Sequence, residues 1–150
     1  QPYSKFSMIN WSKVKTHAKE MIENFEIATR GPEQKVKQLS GGNLQKVLLA
    51  REVSKDVKAL VASSPTRGLD INATYYVYKR FLELLHDGTG ILLISEDLDE
   101  IFNVSDRIAV IFNGKLMGIF DVKDATREKI GLLMAGVKEE DSDYKIFLTN

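Results

Sequence analysis

The chain has 150 residues, with 21 Lys and Arg balanced by 21 Asp and Glu, so no net field favours nucleic acid or an anionic membrane and binding must come from local sites. It has no cysteine, which excludes disulfides, thiolate catalysis and zinc-thiolate sites and suits a reducing compartment. Its longest apolar runs, such as Ile91 to Ile94 and Ile108 to Phe112, fall far short of the roughly 18 residues needed to span a bilayer.

The chain opens on Gln1, without an initiator Met or a charged-then-apolar leader, and is expected to be a piece of a longer protein. Trp11, Val14, Ala18, Met21, Ile22 and Phe25 recur at helical spacing with Lys and Glu opposite, which predicts an amphipathic helix over 11–25. Arg30-Gly31-Pro32-Glu33-Gln34-Lys35 is a breaker and marks a loop. A helix is expected from about Gly42 to Ser54, with Leu44, Val47, Leu48 and Ala50 facing a core and Lys46 and Arg51 facing outward.

Ala59 to Ala62 and Gly90 to Ser95 are short apolar runs of the kind found in strands buried on both faces. Between them, 71–85 reads as a helix capped by Asp70 or Asn72, with Tyr76, Tyr78, Phe81, Leu82 and Leu85 as its apolar side. Strand, helix, strand is a βαβ crossover. A short helix over 98–103 comes next. Arg107 to Phe112 and Lys115 to Phe120 then flank Asn113-Gly114, the signal of a type I′ hairpin. A last helix is expected over 126–134, followed by the charged run 138–143, read as a solvated linker or tail.

The chemistry begins at Leu39-Ser40-Gly41-Gly42, directly before a predicted helix. Gly41 and Gly42 can bring bare backbone N–H groups up to an anion at the helix N-terminus. The plainer alternative is that Ser40 caps the helix and the glycines only turn the chain. His17 and His86 are too isolated to suggest a metal pair. Glu96, Asp97, Asp99 and Glu100 read better as an acidic first helical turn than as a metal cluster. Tyr75, Tyr76 and Tyr78 could stack on a base but lie at helical spacing, which favours core or subunit contacts.

Leu39-Ser40-Gly41-Gly42-Asn43-Leu44-Gln45 resembles the signature motif of ABC-transporter ATPases. Ser64-Pro65-Thr66-Arg67-Gly68-Leu69-Asp70 resembles the end of that family's Walker B segment running into its D-loop. Gly90 to Glu100 resembles the switch segment, and Ser105-Asp106-Arg107-Ile108 the strand after it. Four motifs in order carry far more weight than any one of them. Asn43 and the string from Pro65 to Asp70 look most like the second, carboxy-terminal half of importers for simple sugars or nucleosides, which carry two nucleotide-binding halves in one polypeptide.

The resemblance implies an α/β fold, a partial P-loop NTPase domain. Residues 1–57 would be a helical subdomain with the signature motif, 58–137 the carboxy-terminal part of the ATPase core, and 138–150 a charged tail. It implies ATP and Mg²⁺ as cofactors of the intact parent, with none bound by the isolated fragment. The partners would be the other nucleotide-binding half and transmembrane permease subunits, with no nucleic acid, at the inner face of the cell membrane. Ser40, Gly41, Gly42, Asn43, Gln45 and Asp70 would touch ATP held by the opposite half.

The departures are equally specific. No glycine among the ten starts a Walker A string of Gly, four residues, then Gly-Lys-Ser/Thr. The glutamine loop is not found upstream of the first helix, so the chain is expected to begin inside the helical subdomain. Ser63 and Ser64 stand where the family has Asp and Glu, and Glu96, or Ser95, stands at the switch histidine. Serine neither holds Mg²⁺ through a carboxylate nor acts as a base near neutral pH. The expectation is a degenerate site that hydrolyses nothing itself. Lacking its central strand, the isolated fragment is expected to self-associate. A non-catalytic docking or regulatory module for a permease is the alternative. A chromosome-maintenance ATPase is disfavoured because long heptads are absent.

Overall fold

The structure is a computed structural model that describes residues 3–5, 8–53 and 57–137, and the statements below concern those residues. In chain order the elements are β1 (Ser4–Lys5), β2 (Met8–Ile9), α1 (Trp11–Asn24), α2 (Gly41–Val53), β3 (Ala59–Ser63), α3 (Ile71–His86), β4 (Gly90–Ile94), α4 (Leu98–Val104), β5 (Arg107–Phe112), β6 (Lys115–Asp121) and α5 (Arg127–Met134). Single 3₁₀ turns lie at Val36–Gln38 and Val122–Asp124. Three two-stranded sheets pair β1 with β2, β3 with β4, and β5 with β6. The charged run 138–143 lies outside the described residues.

The chain divides into two compact units, Gln1–Leu92 and Leu93–Asn150, a boundary that falls within β4. In the first unit α1 is started by Asn10, whose side chain accepts the Lys13 N–H, and α3 by Asp70, which accepts the Ala73 N–H. Both are N-caps of the kind that satisfy orphan amides in the first turn. Phe25, Ile27, Leu49, Ala50, Ala62, Val77 and Phe81 are its buried apolar residues. β3 and β4 flank α3 in sequence and pair with each other. The Gly90 N–H donates to the Lys58 carbonyl at 3.0 Å, and the buried Thr89 hydroxyl donates to the Val57 carbonyl at 2.7 Å.

Two expectations about faces are corrected. β3 and β4 are not buried on both sides: alternate residues face out, leaving Val61 64% and Leu92 58% exposed. A strand presents every second side chain to each face, and among the described residues only one face of this pair is covered. On α2, Leu49 and Ala50 are the buried residues, whereas Leu44 and Leu48 are exposed. Apolar residues run nearly all round that helix, so packing rather than periodicity selects the inward face.

The second unit is a hairpin under a helix. β5 and β6 are antiparallel, with Ile108 opposite Phe120 and Val110 opposite Gly118. The turn places Asn113 at φ 47 and Gly114 at φ 72, the two left-handed residues that a type I′ turn requires. Ile108 and Val110 form a core with Ile130 and Leu133 of α5, and Leu98, Ile101 and Phe102 pack against it.

Candidate functional site

The first unit carries an open cleft of about 450 Å³ lined by Ser40, Gly42, Asn43 and Lys46 of the α2 start, Asp70, Asn72, Ala73, Tyr75, Tyr76 and Lys79 of the α3 start, and Glu26 and Ala28. Four of the six expected site residues line it: Ser40, Gly42, Asn43 and Asp70. Gly41 and Gln45 stand on α2 without lining it.

Sequence dictates how the cleft is built. Gly42 lets the two helices approach: a β-carbon there would lie 2.9 Å from the Ala73 β-carbon, closer than carbon atoms pack. Ser40 precedes the first helical residue, and its carbonyl accepts the Leu44 N–H at 2.8 Å. Its hydroxyl oxygen accepts the Asn43 side-chain amide at 2.9 Å and the Asn43 backbone N–H at 3.4 Å. The capping role weighed from the sequence is thus present. The Gly41 and Gly42 N–H groups donate to nothing among the described residues. They stand at the start of a 13-residue helix, whose dipole favours an anion there.

The Asn43 side-chain oxygen accepts the Ala28 N–H at 2.7 Å. Asp70 Oδ1 accepts the Ala73 N–H at 2.8 Å, so this carboxylate is fixed at the cleft edge as the α3 cap.

Sequence reasoning missed the wall behind these residues. Lys46, expected to point outward, donates to the Glu26 carbonyl at 2.9 Å and sits 4.2 Å from the Tyr76 ring centroid. The Tyr76 hydroxyl donates to the Phe25 carbonyl at 2.8 Å. Arg80 donates to the Asn24 carbonyl and to the Tyr76 oxygen, and lies 4.6 Å over the Phe25 ring. Burial raises the Tyr76 phenol above its ordinary value, against the opposing pull of Arg80. Burial alone would lower Arg80, but hydrogen bonds with Glu83 and Tyr76 outweigh it and leave it raised. Helical spacing had marked Tyr76 as apolar, and no local signal links residues 51 or 56 positions apart.

The remaining candidates disperse. Asp97 caps α4, accepting the Asp99 and Glu100 N–H groups at 2.8 and 3.3 Å. Asp99 pairs with Arg127, and Glu100 is buried. His17 lies 3.7 Å from Glu20 and tilts on Tyr3, while His86 lies 3.7 Å from Asp87. Ser63 ends β3, and Ser64 turns the chain at φ 45 with its carbonyl accepting the Arg67 N–H. Those two positions offer hydroxyls and no carboxylate, so the donor set does not fit Mg²⁺, an ion that prefers carboxylates and water.

No protein-family model matches the chain. The nucleoside import ATP-binding protein NupA of Lactococcus lactis is 42% identical over 135 residues, covering 90% of this chain and 27% of that protein. The dimeric ATP-binding cassette MJ0796, in a post-hydrolysis state with ADP and Pi, superposes with a TM-score of 0.64 at 22% identity, over 79% of this chain and 51% of that one. The chain belongs to the ABC-transporter ATPases. The guanosine import ATP-binding protein NupO of Bacillus subtilis is 36% identical over 142 residues, covering 95% of this chain and 28% of that protein. The ribose import ATP-binding protein RbsA of Caldanaerobacter subterraneus is 41% identical over 128 residues, covering 85% and 26%. This ABC ATPase chain therefore spans about a quarter of the length of the curated relatives it matches. The cassette MJ1267 in its ADP conformation matches 99% of the chain with a TM-score of 0.62, which supports the same fold.

Proposed function

We propose that this chain is part of the ATP-binding subunit of an importer for a simple sugar or nucleoside, and that it closes over ATP held by the other nucleotide-binding half. The carrying observation is the cleft that gathers Ser40, Gly42, Asn43 and Asp70 beside two undirected amides at the start of α2. The Ser40 hydroxyl, the Gly42 residue and a positive helix end meet where an anion can enter. Each charge-assisted bond contributes on the order of 1.5 to 3 kcal/mol, enough to couple nucleotide binding to closure of two halves. Lys46 and Lys79 at the cleft are balanced by Glu26 and Asp70, so the helix end rather than a net field favours the anion.

The chain's own catalytic position is degenerate on this reading. Ser63 and Ser64 supply neither a metal-holding carboxylate nor a base, and Glu96 would repel a phosphate where the family has histidine. ATP and Mg²⁺ are then used by the assembled transporter, at the inner membrane face where a permease holds the subunit. Among the described residues no helix is long and apolar enough to cross a membrane. The serines also favour a second reading, a non-catalytic docking or regulatory module with no contact to any ATP.

Hydrolysis by the assembled transporter separates the two. Ser40→Arg fills the anion position and should nearly abolish turnover, while Ser64→Ala should leave it close to unchanged. The reverse ordering defeats the asymmetric arrangement, and indifference to Ser40→Arg supports the docking module.

A further inference from the structure

We propose that Asn43 is a positioning residue that turns the Ser40 hydroxyl proton into the cleft, held in place by Lys46, Tyr76 and Arg80 through their clamp on the backbone from Asn24 to Ala28. The inference rests on the reading of Ser40 as a phosphate contact.

The Ala28 N–H has no acceptor role, so the Asn43 oxygen must face it, at 2.7 Å. That fixes the amide orientation and turns the NH₂ group toward Ser40, 2.9 Å from Oγ. The Ser40 oxygen therefore receives two donors, the Asn43 side chain and, more distantly, the Asn43 N–H. A hydroxyl has two lone pairs and one proton. With both lone pairs engaged, the proton is what Ser40 has left to offer, and an anionic oxygen in the cleft is the acceptor it suits.

Asn43 is only as well placed as Ala28, and the segment before Ala28 is held unusually firmly. Three consecutive carbonyls, of Asn24, Phe25 and Glu26, each accept a side-chain donor: Arg80, Tyr76 and Lys46 respectively. Arg80 lies between the Phe25 and Tyr76 rings, at 4.6 and 5.6 Å, and Lys46 covers Tyr76 at 4.2 Å. Glu26 is held at φ 50, a left-handed conformation that a non-glycine residue keeps only where its surroundings impose it. Donors from α2 and α3 thus set the position of Ala28, Ala28 sets the amide of Asn43, and Asn43 sets the proton of Ser40. The plainer alternative is that the donors merely satisfy orphan carbonyls at the end of α1.

The test uses the assembled transporter and reads ATP hydrolysis and thermal unfolding together. Asn43→Ala should lower turnover about tenfold, the scale of one hydrogen bond, and should do nothing further in a Ser40→Ala background. Asn43→Asp keeps the volume and the bond from Ala28 but makes Ser40 donate to the new carboxylate, so turnover should fall at least as far with unfolding temperature unchanged. Tyr76→Phe keeps both ring stacks and removes the bond to Phe25 together with the one accepted from Arg80. It should cost a few-fold with Ser40 present and nothing in Ser40→Ala. Equal losses in the two backgrounds would show a purely structural role and overturn the inference. So would full activity of Asn43→Ala and Tyr76→Phe beside an inactive Ser40→Arg, which would leave the underlying reading intact. Full activity of Ser40→Arg would overturn both.

Discussion

Gly42→Ala is the substitution on which helix propensity and tertiary packing disagree in sign. Propensity alone favours it, since alanine gains about 1 kcal/mol over glycine inside a helix. Packing opposes it, because the new β-carbon would stand 2.9 Å from the Ala73 β-carbon, whereas carbon pairs settle at about 3.5 to 4.0 Å. Neither atom is the flexible end of a side chain, so the two helix starts must separate by roughly an ångström. Overpacking of this kind costs about 1 to 3 kcal/mol, leaving a net loss of up to about 2 kcal/mol after the propensity gain. The separation would also draw Ser40 and Asn43 away from Asp70 and reduce transporter hydrolysis. Urea unfolding of the chain measures the first effect. Ala73→Gly, which removes the opposing carbon, should recover stability in the double variant beyond the sum of the two single changes. A raised urea midpoint for Gly42→Ala alone would refute the close approach of α2 and α3.

Further outcomes follow from the same geometry. Asp70→Ala removes the α3 cap and should cost about 1 kcal/mol in unfolding free energy, with Asp70→Asn nearly neutral. Ser64→Gly relieves a left-handed φ of 45 and should stabilise the chain by up to about 1 kcal/mol in the same unfolding measurement. Because burial raises the Tyr76 pKa above its ordinary 10.0, the phenol is neutral in both states below that value, and the unfolded chain ionises first as pH rises. Stability should be complete below about pH 10 and fall as pH climbs through the folded pKa; Tyr76→Phe should flatten that fall in unfolding curves taken at several pH values. Val61 and Leu92 leave apolar area exposed, so the isolated chain should self-associate in light scattering, and Val61→Lys should weaken the association.

The parts of the fold that local patterns encode were legible. α1 and α3 follow from helical periodicity, α3 with Asp70 as its cap, α5 falls within the expected 126–134, and the hairpin follows from Asn113-Gly114. The two-residue strands β1 and β2 were missed because two residues carry no period. The inward face of α2 was misjudged at Leu44 and Leu48, where nearly continuous apolarity leaves the choice to packing. In the site, the start of α2 and Asp70 could be read because each is a short motif. The wall of Lys46, Tyr76 and Arg80 could not, since its bonds join residues 20, 51 and 56 positions apart. A lysine and an arginine on helices read as solvated, and only the fold shows that they end on backbone carbonyls.

On the proposed reading, the cleft at Ser40 receives a nucleotide carried by the other half. Since the chain has no cysteine, Ser40→Cys introduces a single addressable thiol in it, whose maleimide labelling in the assembled transporter can be followed by mass spectrometry. ATP should slow labelling at position 40 strongly, while a thiol introduced by Lys37→Cys should label at the same rate with or without ATP. Labelling at position 40 that ATP leaves unchanged, in a transporter that binds ATP, would contradict that reading.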